Sequence, residues 1–161
     1  MMGIGQKFPG FKLTGVVNND VRTAFRDFDE KSHAGKWLVV FFWPKDFTFV
    51  CPTEIAGFGR LKRDFAGANA QVLGISTDSE FVHAAWRASR EDLGKLAFPW
   101  LADIKKELAT ALGILDTAEG VAKRATFVVD PEGIIRFVDV TDMSVGRNPQ
   151  EVLRVLDALQ T

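Results

Sequence analysis

The order of apolar and polar residues divides most of the chain into predicted strands and helices. Residues 37–43 read WLVVFFW, and an unbroken apolar run of this length predicts a strand that is buried on both faces. Residues 70–77 predict a second strand, and residues 124–129 and 134–140 predict two more. The last two flank the turn sequence DPEG at residues 130–133, so we expect them to pair antiparallel.

Apolar residues at steps of three and four predict helices between and after these strands. Three of the helices begin with polar side chains that can accept a hydrogen bond from the unpaired N–H groups of a first helical turn. The predicted helices span residues 51–66, from Asp78-Ser79 to about Arg90, from Asp103 to about Gly113, and from Asn148-Pro149 to Leu159.

These elements follow one another in the order β-α-β-α-(α)-β-β-α, after a lead-in over residues 8–30. Pro9, Gly10 and the polar run at residues 18–20 predict turns and a hairpin-like course there. Strands separated by helices pair in parallel through right-handed crossovers. The order therefore predicts a thioredoxin-like α/β fold, with a mixed central sheet flanked by helices on both faces. Residues 1–161 should form a single domain.

Composition and charge narrow the class of protein. The 161 residues are 47% apolar and 25% charged, which is typical of one globular domain. A net charge of −1 provides no basic field, so we expect no nucleic-acid partner. No segment approaches the roughly 20 apolar residues of a membrane-spanning helix, and none has the pattern of a signal peptide. We therefore expect no membrane partner and a cytoplasmic location.

Cys51 is the only cysteine in the sequence. A single thiol excludes an intrachain disulfide and any metal site built from the cysteines of one subunit, and it fits a reducing compartment. His33 and His83 do not stand at ligand spacing from Cys51, so we predict no metal, and no cofactor is indicated. The thiol is then either a small buried hydrophobic group or a reactive nucleophile.

Pro44, Thr48 and Cys51 lie where the first buried strand gives way to the first predicted helix. Ligands of open α/β sheets bind at the carboxyl ends of strands, and the start of a helix lowers the pKa of a thiol. A helical turn over residues 48–51 would put the Thr48 hydroxyl and the sulfur on one face. Taken singly, Thr48 is equally a turn hydroxyl and Pro44 a strand terminator, so spacing alone leaves both interpretations open.

Four segments of the chain resemble peroxiredoxins. FFWPKDFTFVCPTE, at residues 41–54, resembles the active-site segment of that family, which reads Pro-x-x-x-Thr-x-x-Cys. Within the family, the segment is similar to the alkyl hydroperoxide reductase C branch of the typical two-cysteine group. The resemblance continues through GISTDSEFVHAAW, RATFVVDPEG and SVGRNPQEVLRVLDAL, and it covers nearly the whole chain.

The resemblance implies a thioredoxin-like fold and a thiol peroxidase that reduces hydrogen peroxide and organic hydroperoxides in antioxidant defence. Cys51 is then the peroxidatic cysteine, whose thiolate attacks the peroxide and becomes a sulfenic acid. Thr48 is implied to orient the peroxide and Pro44 to shield the pocket. Arg124 is implied to stabilise the thiolate and the peroxide oxygens.

Two further positions match the branch. Glu54 and Arg147 are implied to form a hydrogen-bonded network behind the cysteine that positions Arg124. From the residues alone, Glu54 is an acidic residue in a first helical turn, and Arg147 is a loop residue before a capped helix. His83 and Trp86 also recur in the branch, and we interpret both as packing residues of an amphipathic helix.

The resemblance also implies partners. Sulfur supplies both electrons, so no cofactor is required. The oxidised cysteine is reduced back to the thiol by a thiol or disulfide reductant protein: a flavoprotein reductase, a thioredoxin-like protein or another carrier. Homodimers of this family assemble into rings, often decamers. Phe47 and Phe49, which flank the active-site loop, are candidates for such a contact.

The resemblance departs at the end of the chain. The branch carries a resolving cysteine in a tail beyond the last helix, whereas this sequence ends at Thr161 without a second cysteine. We expect a sequence that stops before such a tail. One alternative is a one-cysteine peroxidase reduced by an external thiol. Another is a ring-assembled holdase chaperone, in which Cys51 would be dispensable.

Overall fold

Seven strands form one mixed sheet in the computed structural model, which describes residues 1–48, 51–94 and 98–161, Cys51 through its backbone only. In chain order, the strands are β1 (Lys12–Val16), β2 (Phe25–Asp29), β3 (Trp37–Phe42), β4 (Ala70–Ser76), β5 (Trp100–Ala102), β6 (Leu115–Asp116), β7 (Val121–Ala122), β8 (Arg124–Val129) and β9 (Ile135–Thr141). Their order across the sheet is β2-β1-β5-β4-β3-β8-β9, and β6 and β7 form a separate hairpin.

Helices connect these strands within the described residues. They are α1 (Cys51–Arg60), α2 (Lys62–Gly67), α3 (Glu80–Ser89), α4 (Glu91–Gly94), α5 (Glu107–Leu112) and α6 (Pro149–Leu159). Of the helices in the described part of the chain, none has the length and apolar character needed to cross a membrane.

The sheet mixes parallel and antiparallel pairs, as predicted. β3 pairs in parallel with β4, and β4 with β5, across the helical crossovers. β8 pairs antiparallel with β3 and with β9, and β1 pairs antiparallel with β2 and β5. The lead-in thus contains a hairpin, β1–β2, that extends the same sheet.

Alternate side chains of β3 enter two separate core clusters. Leu38, Val40 and Phe42 face a cluster that includes residues of α5. Val39 and Phe41 face the opposite cluster, which includes residues of α1, α2, α3 and α6. Because successive strand residues point to opposite faces, a strand that is apolar throughout requires cover on both sides. The predicted arrangement, with helices on both faces, is confirmed.

The predicted helix over residues 51–66 is two helices. α1 ends at Arg60 and α2 begins at Lys62, because Leu61 between them has φ −95° and ψ 8°. Leu61 and Phe65 nevertheless pack on the same core cluster as α1. The apolar pattern therefore continues through the break, which explains why the sequence predicts one helix.

Four short elements, β5, β6, β7 and α4, have no counterpart in the sequence-based prediction. β5 has 3 residues and α4 has 4, which is too short to show a period. β5 is nevertheless structurally important, because it joins the β1–β2 hairpin to the parallel strands.

The caps predicted for α3 and α6 are present. Ser79 and Asn148 each accept a hydrogen bond from a main-chain N–H of the first turn. The helix predicted to start at Asp103 begins only at Glu107, and Lys106 occupies its cap position. The buried carboxylate of Asp103 accepts from the N–H groups of Leu108 and Ala109.

The carboxyl end of β3 and the start of β8 bring the predicted site residues near each other. Phe41 of β3 pairs with Thr126 of β8 in an antiparallel register. Arg124, two residues before Thr126, therefore lies level with Trp43, where β3 gives way to the loop. That loop leads into α1, which begins at Cys51.

Candidate active site

The first turn of α1 contains two of the predicted site residues. α1 begins at Cys51, and Glu54 lies three positions later with its side chain buried. A carboxylate near a helix N-terminus is favoured by the helix dipole. Burial adds a second requirement, because a buried charge needs partners of opposite charge.

Glu54 meets that requirement in a buried ion triad with Arg124 and Arg147. Its Oε1 accepts from Nη1 of Arg124 at 2.5 Å. Its Oε2 accepts from Nε of Arg147 at 2.5 Å and from the main-chain N–H of Arg147 at 2.9 Å. The three side chains are at most 4% exposed. The structure thus brings these three predicted residues together from α1, β8 and the loop before α6.

Arg147 extends the triad into the sheet. Its Nη1 donates to the carbonyl oxygen of Ala125 at 2.7 Å and to Oγ1 of Thr126 at 2.9 Å. Its Nη2 donates to the carbonyl oxygen of Phe42. One guanidinium therefore ties the last residue of β3 to the first turn of α1 and to β8.

The triad places two guanidinium groups and one carboxylate close to the start of α1. The first N–H groups of the helix and its dipole add partial positive charge at the same place. An anion at this helix start is favoured, and a thiol located there loses its proton more readily than in water.

A cavity of about 470 Å³ has Arg124 in its wall. The loop after β3 contributes Pro44, Lys45 and Thr48 to the same cavity. Other described residues of the lining come from the β6–β7 hairpin and the loop after β9: Asp116, Glu119, Val121 and Met143. Nε of Arg124 donates to the Met143 carbonyl oxygen at 2.6 Å, so the guanidinium is held from two sides.

Pro44 and Thr48 present different groups to this cavity. Pro44 is buried, and Thr48 is half-buried. The Thr48 hydroxyl donates to the carbonyl oxygen of Lys45 at 3.1 Å, and its oxygen can accept a further hydrogen bond. Phe49 and the Cys51 side chain lie outside the described residues. That Thr48 and the sulfur share one face therefore stays a prediction.

A second buried network holds the loop after β3. The side chains of Asp46 and His83 are fully buried, and Oδ2 of Asp46 lies 2.5 Å from Nδ1 of His83. Oδ1 of Asp46 accepts from Nε1 of Trp43 at 2.8 Å. Nε2 of His83 donates to the Leu101 carbonyl oxygen at 2.9 Å. Because Nε2 must carry a hydrogen for that bond, the contact between Asp46 and His83 holds a further proton shared by the pair.

The protonation of this pair follows from its surroundings. Burial raises the pKa of Asp46, against the opposing effect of His83. Burial, the largest single effect, would lower the pKa of His83, but the charge and the hydrogen bond of Asp46, the Leu101 carbonyl and the charge of Asp78 together raise it. Both shifts favour the state in which the pair keeps its shared proton.

The backbone of the same loop is held in a costly conformation. Phe47 has φ 61°, which for a non-glycine residue costs about 1–2 kcal/mol. The conformation is fixed on both sides. The N–H of Asp46 donates to Oδ2 of Asp78 at 2.8 Å, and the Phe47 ring packs against Trp86 with centroids 5.9 Å apart. Strained residues persist where the surrounding structure over-determines them, and they cluster at functional sites.

The sequence predicts neither the role of Asp46 nor the part of the cavity wall that comes from the β6–β7 hairpin and Met143. The sequence indicates only a packing role for His83, whereas the structure connects it to the loop after β3. The available signal was a carboxylate in the loop and a histidine on the apolar face of a helix. Their contact depends on how β3, β4 and β5 align in the sheet, which residue spacing does not reveal.

The described residues contain no evident metal site. Within residues 1–48, 51–94 and 98–161, no three His, Cys, Asp or Glu side chains form a group that could hold a metal ion. The cavity combines cationic Lys45 and Arg124 with anionic Asp116 and Glu119. Such a mixed lining suits a small polar ligand rather than a bare cation.

Comparison with known proteins assigns the family. Residues 4–138 match the AhpC/TSA family. The chain belongs to this family. It is 54% identical over 169 aligned positions to the alkyl hydroperoxide reductase C of Mycolicibacterium smegmatis, covering 100% of this chain and 86% of the relative. It is 43% identical over 160 positions to peroxiredoxin-2 of Macaca fascicularis, covering 98% of this chain and 79% of the relative.

Solved AhpC structures share the fold. Mycobacterium tuberculosis AhpC superposes with a TM-score of 0.93 at 52% identity, covering 100% of this chain and 94% of that one. Enterococcus faecalis AhpC superposes with a TM-score of 0.94 at 39% identity, covering 99% and 93% of the two chains. The thioredoxin-like fold expected from the sequence is confirmed.

Membership of the AhpC/TSA family at this identity makes the protein a thiol peroxidase that reduces peroxides. A peroxide substrate and a thiol reductant follow from the family, in which oligomeric assembly is typical. The comparisons favour neither the one-cysteine alternative nor the holdase alternative.

The Asp46–His83 pair predicts a dependence of stability on pH. The raised pKa of His83 contributes stability that is present below the unfolded pKa of about 6.5 and is lost as pH rises through the folded value. This one proton should therefore lower the free energy of unfolding above pH 6.5 by at most about 1.4 kcal/mol per pH unit, relative to a protein that lacks it. Urea denaturation between about pH 6 and 9, a range around the histidine pKa, measures the slope of the free energy of unfolding against pH.

Asp46→Asn is the matched variant. An asparagine donates to a neutral His83 and removes the shared proton, so this contribution to the slope should disappear. Contributions from Cys51, His33 and the chain termini are common to both proteins and cancel in the comparison. Equal slopes in the wild-type protein and the variant would contradict the assignment of the proton to this pair.

Proposed function

We propose that Cys51 is the peroxidatic residue and that its thiolate attacks hydrogen peroxide and organic hydroperoxides in the cavity lined by Arg124. The observation that carries this proposal is buried Glu54, which holds Arg124 in the cavity wall next to the start of α1. A surface arginine requires no buried partner. A guanidinium fixed by a carboxylate at a helix start is suited to a reacting anion.

Each residue at the cavity has its own proposed role. Arg124 and the first N–H groups of α1 stabilise the thiolate and the charge that develops on the peroxide oxygens. Thr48 accepts a hydrogen bond from the peroxide O–H, because its own hydrogen is directed to the Lys45 carbonyl. Pro44 has no N–H, and it closes the wall without competing for the thiolate. Glu54, together with Arg147, positions Arg124.

The proposed reaction needs no cofactor. The sulfur of Cys51 forms a bond to one peroxide oxygen while the O–O bond breaks, and sulfur loses two electrons. The leaving hydroxide or alkoxide takes up a proton and departs as water or an alcohol. The sulfenic acid then condenses with a second thiol, which forms a disulfide and releases water. Exchange with a dithiol reductant protein returns the Cys51 thiol and leaves the disulfide on the reductant.

We further propose a thiol or disulfide protein as the reductant and the cytoplasm as the compartment, because Cys51 must be kept reduced between turnovers. We also propose that residues 1–161 act as one thioredoxin-like domain. Both core clusters pack on the same seven-stranded sheet, which supports this interpretation.

For the assembly, we propose homodimers that form a ring-shaped decamer. Phe47, Phe81 and Val21 are 58%, 66% and 72% exposed. Phe81 lines an apolar depression of about 330 Å³ with Phe25 and small alanines of α3. Exposed apolar groups of this kind mark contact surfaces. β9 forms an open edge of the sheet and offers a second contact, as a closed ring of dimers requires.

The peroxidase proposal predicts the fate of the Cys51 thiol. One equivalent of peroxide should convert it to a sulfenic acid, trapped by dimedone and located by mass spectrometry. The rate should exceed that of free cysteine about 10³-fold or more. Cys51→Ser should be inert, and Thr48→Val should react about 10²-fold more slowly because the hydroxyl that aligns the peroxide is gone.

Thr110→Val is the control for Thr48→Val. The Thr110 hydroxyl also donates to a main-chain carbonyl, that of Lys106, but it lies exposed on α5 outside the cavity. This variant should react at the wild-type rate. A Cys51 that reacts no faster than free cysteine would disprove the proposed function.

The assembly proposal predicts that Phe81→Asp shifts the sedimentation coefficient to smaller species, because a buried charge at the contact is unfavourable. Ile104→Asp, at an apolar residue 54% exposed outside this depression, should leave sedimentation unchanged. A Phe81→Asp protein that sediments like the wild type would show that this face is not the contact.

A further inference from the structure

We propose that the buried Asp46–His83 pair is the positioning device of the active-site loop, fixing Thr48 and Pro44 relative to Arg124. The inference rests on the proposed function, since it concerns how the same cavity is held ready for a peroxide. It assigns Asp46 and His83 a role in rate that the packing interpretation of His83 does not provide.

The side chains of this loop point in three directions. Pro44, Lys45 and Thr48 line the cavity. Asp46, between them, is buried in the interior, and Phe47 is exposed on the outside. The groups that would face the peroxide are therefore one or two residues from an anchor that enters the core.

The anchor at Asp46 uses three polar contacts. Its two carboxylate oxygens contact Nε1 of Trp43 and Nδ1 of His83, at 2.8 Å and 2.5 Å. Its main-chain N–H donates to Oδ2 of Asp78 at 2.8 Å. Asp78 is fixed in turn by the hydroxyl of Ser76 at 2.6 Å. Side chain and backbone of one loop residue are thus both held.

These contacts connect the loop to elements that are distant in the sequence. His83 belongs to α3, and its Nε2 donates to Leu101 of β5. Ser76 is the last residue of β4. The position of the loop is therefore set by the carboxyl ends of β4 and β5 as well as by its own ends. Phe47, next to the anchor, has a left-handed backbone conformation, which persists only where surrounding contacts fix the loop.

A packing role alone would not require these residue types. Two buried ionisable groups lose their hydration, and apolar residues of similar volume fill such space at lower cost. Hydrogen bonds with defined directions provide what apolar packing does not, namely a fixed orientation. Positioning matters for rate, because small displacements of aligned reactants slow a reaction strongly.

The test measures two reactions of Cys51 in full-length protein. The first is the second-order rate constant with hydrogen peroxide, which depends on alignment. The second is alkylation by iodoacetamide, which reports the thiolate and requires no aligned peroxide. Asp46→Ala should slow the peroxide reaction about 10²-fold and change the alkylation rate less than about threefold.

Asp46→Asn tests geometry against charge. An asparagine accepts from Trp43 and donates to a neutral His83, so it preserves the contacts without the carboxylate. This variant should retain the peroxide rate within about threefold. Asp92→Ala removes an exposed carboxylate that pairs with Arg90 away from the cavity, and it should match the wild type in both reactions.

Two results would overturn the proposal: a folded Asp46→Ala protein with the wild-type peroxide rate, or equal losses in the peroxide and alkylation reactions. A slow Asp46→Asn protein would overturn the geometric role in favour of charge.

If Asp46→Ala does not fold, Asp78→Ala removes the half-exposed anchor of the Asp46 N–H, and it should slow the peroxide reaction about tenfold. An unchanged rate would then overturn the proposal. A wild-type protein without fast peroxide chemistry would instead refute the proposed function.

Discussion

The site depends on one buried carboxylate that holds two guanidinium groups from distant parts of the chain. Glu54 lies in the first turn of α1, Arg124 begins β8, and Arg147 precedes α6. All three are buried, so each charge needs the others. Removing one member of such a buried group costs about 3–5 kcal/mol, because the remaining charges are left without compensation. The triad therefore fixes where Arg124 stands relative to the start of α1.

A second anchor completes the cavity from the other side. The triad holds the wall formed by β8, while Asp46 and His83 hold the loop that carries Pro44 and Thr48. Both anchors are located at the carboxyl ends of the parallel strands, where open α/β sheets bind their ligands. The start of α1 lies between them and adds the partial positive charge of its N–H groups. We propose that this end of the sheet provides what a peroxide needs, namely alignment and a stabilised thiolate.

Local features of this arrangement could be predicted from the sequence. The apolar run at residues 37–43 and the turn at residues 130–133 predicted strands that the structure contains, because both signals involve neighbouring residues. The contact between Glu54 and Arg147, 93 residues apart, came only from the resemblance to peroxiredoxins. The pairing of Asp46 with His83, 37 residues apart, was missed. It is created by the register of β3, β4 and β5, and no local pattern reports a register between strands.

The central claim is that Glu54 prepares Arg124 for chemistry, and the peroxide rate of Glu54→Gln tests it most directly. Glutamine keeps the shape of the side chain but removes the charge that holds both arginines. Stopped-flow measurement with hydrogen peroxide should give a rate constant for Cys51 reduced by about 10- to 100-fold in the folded variant. Glu151→Gln, at the exposed pair with Arg154, should keep the wild-type rate. A folded Glu54→Gln protein that reacts with peroxide as fast as the wild type would contradict the account.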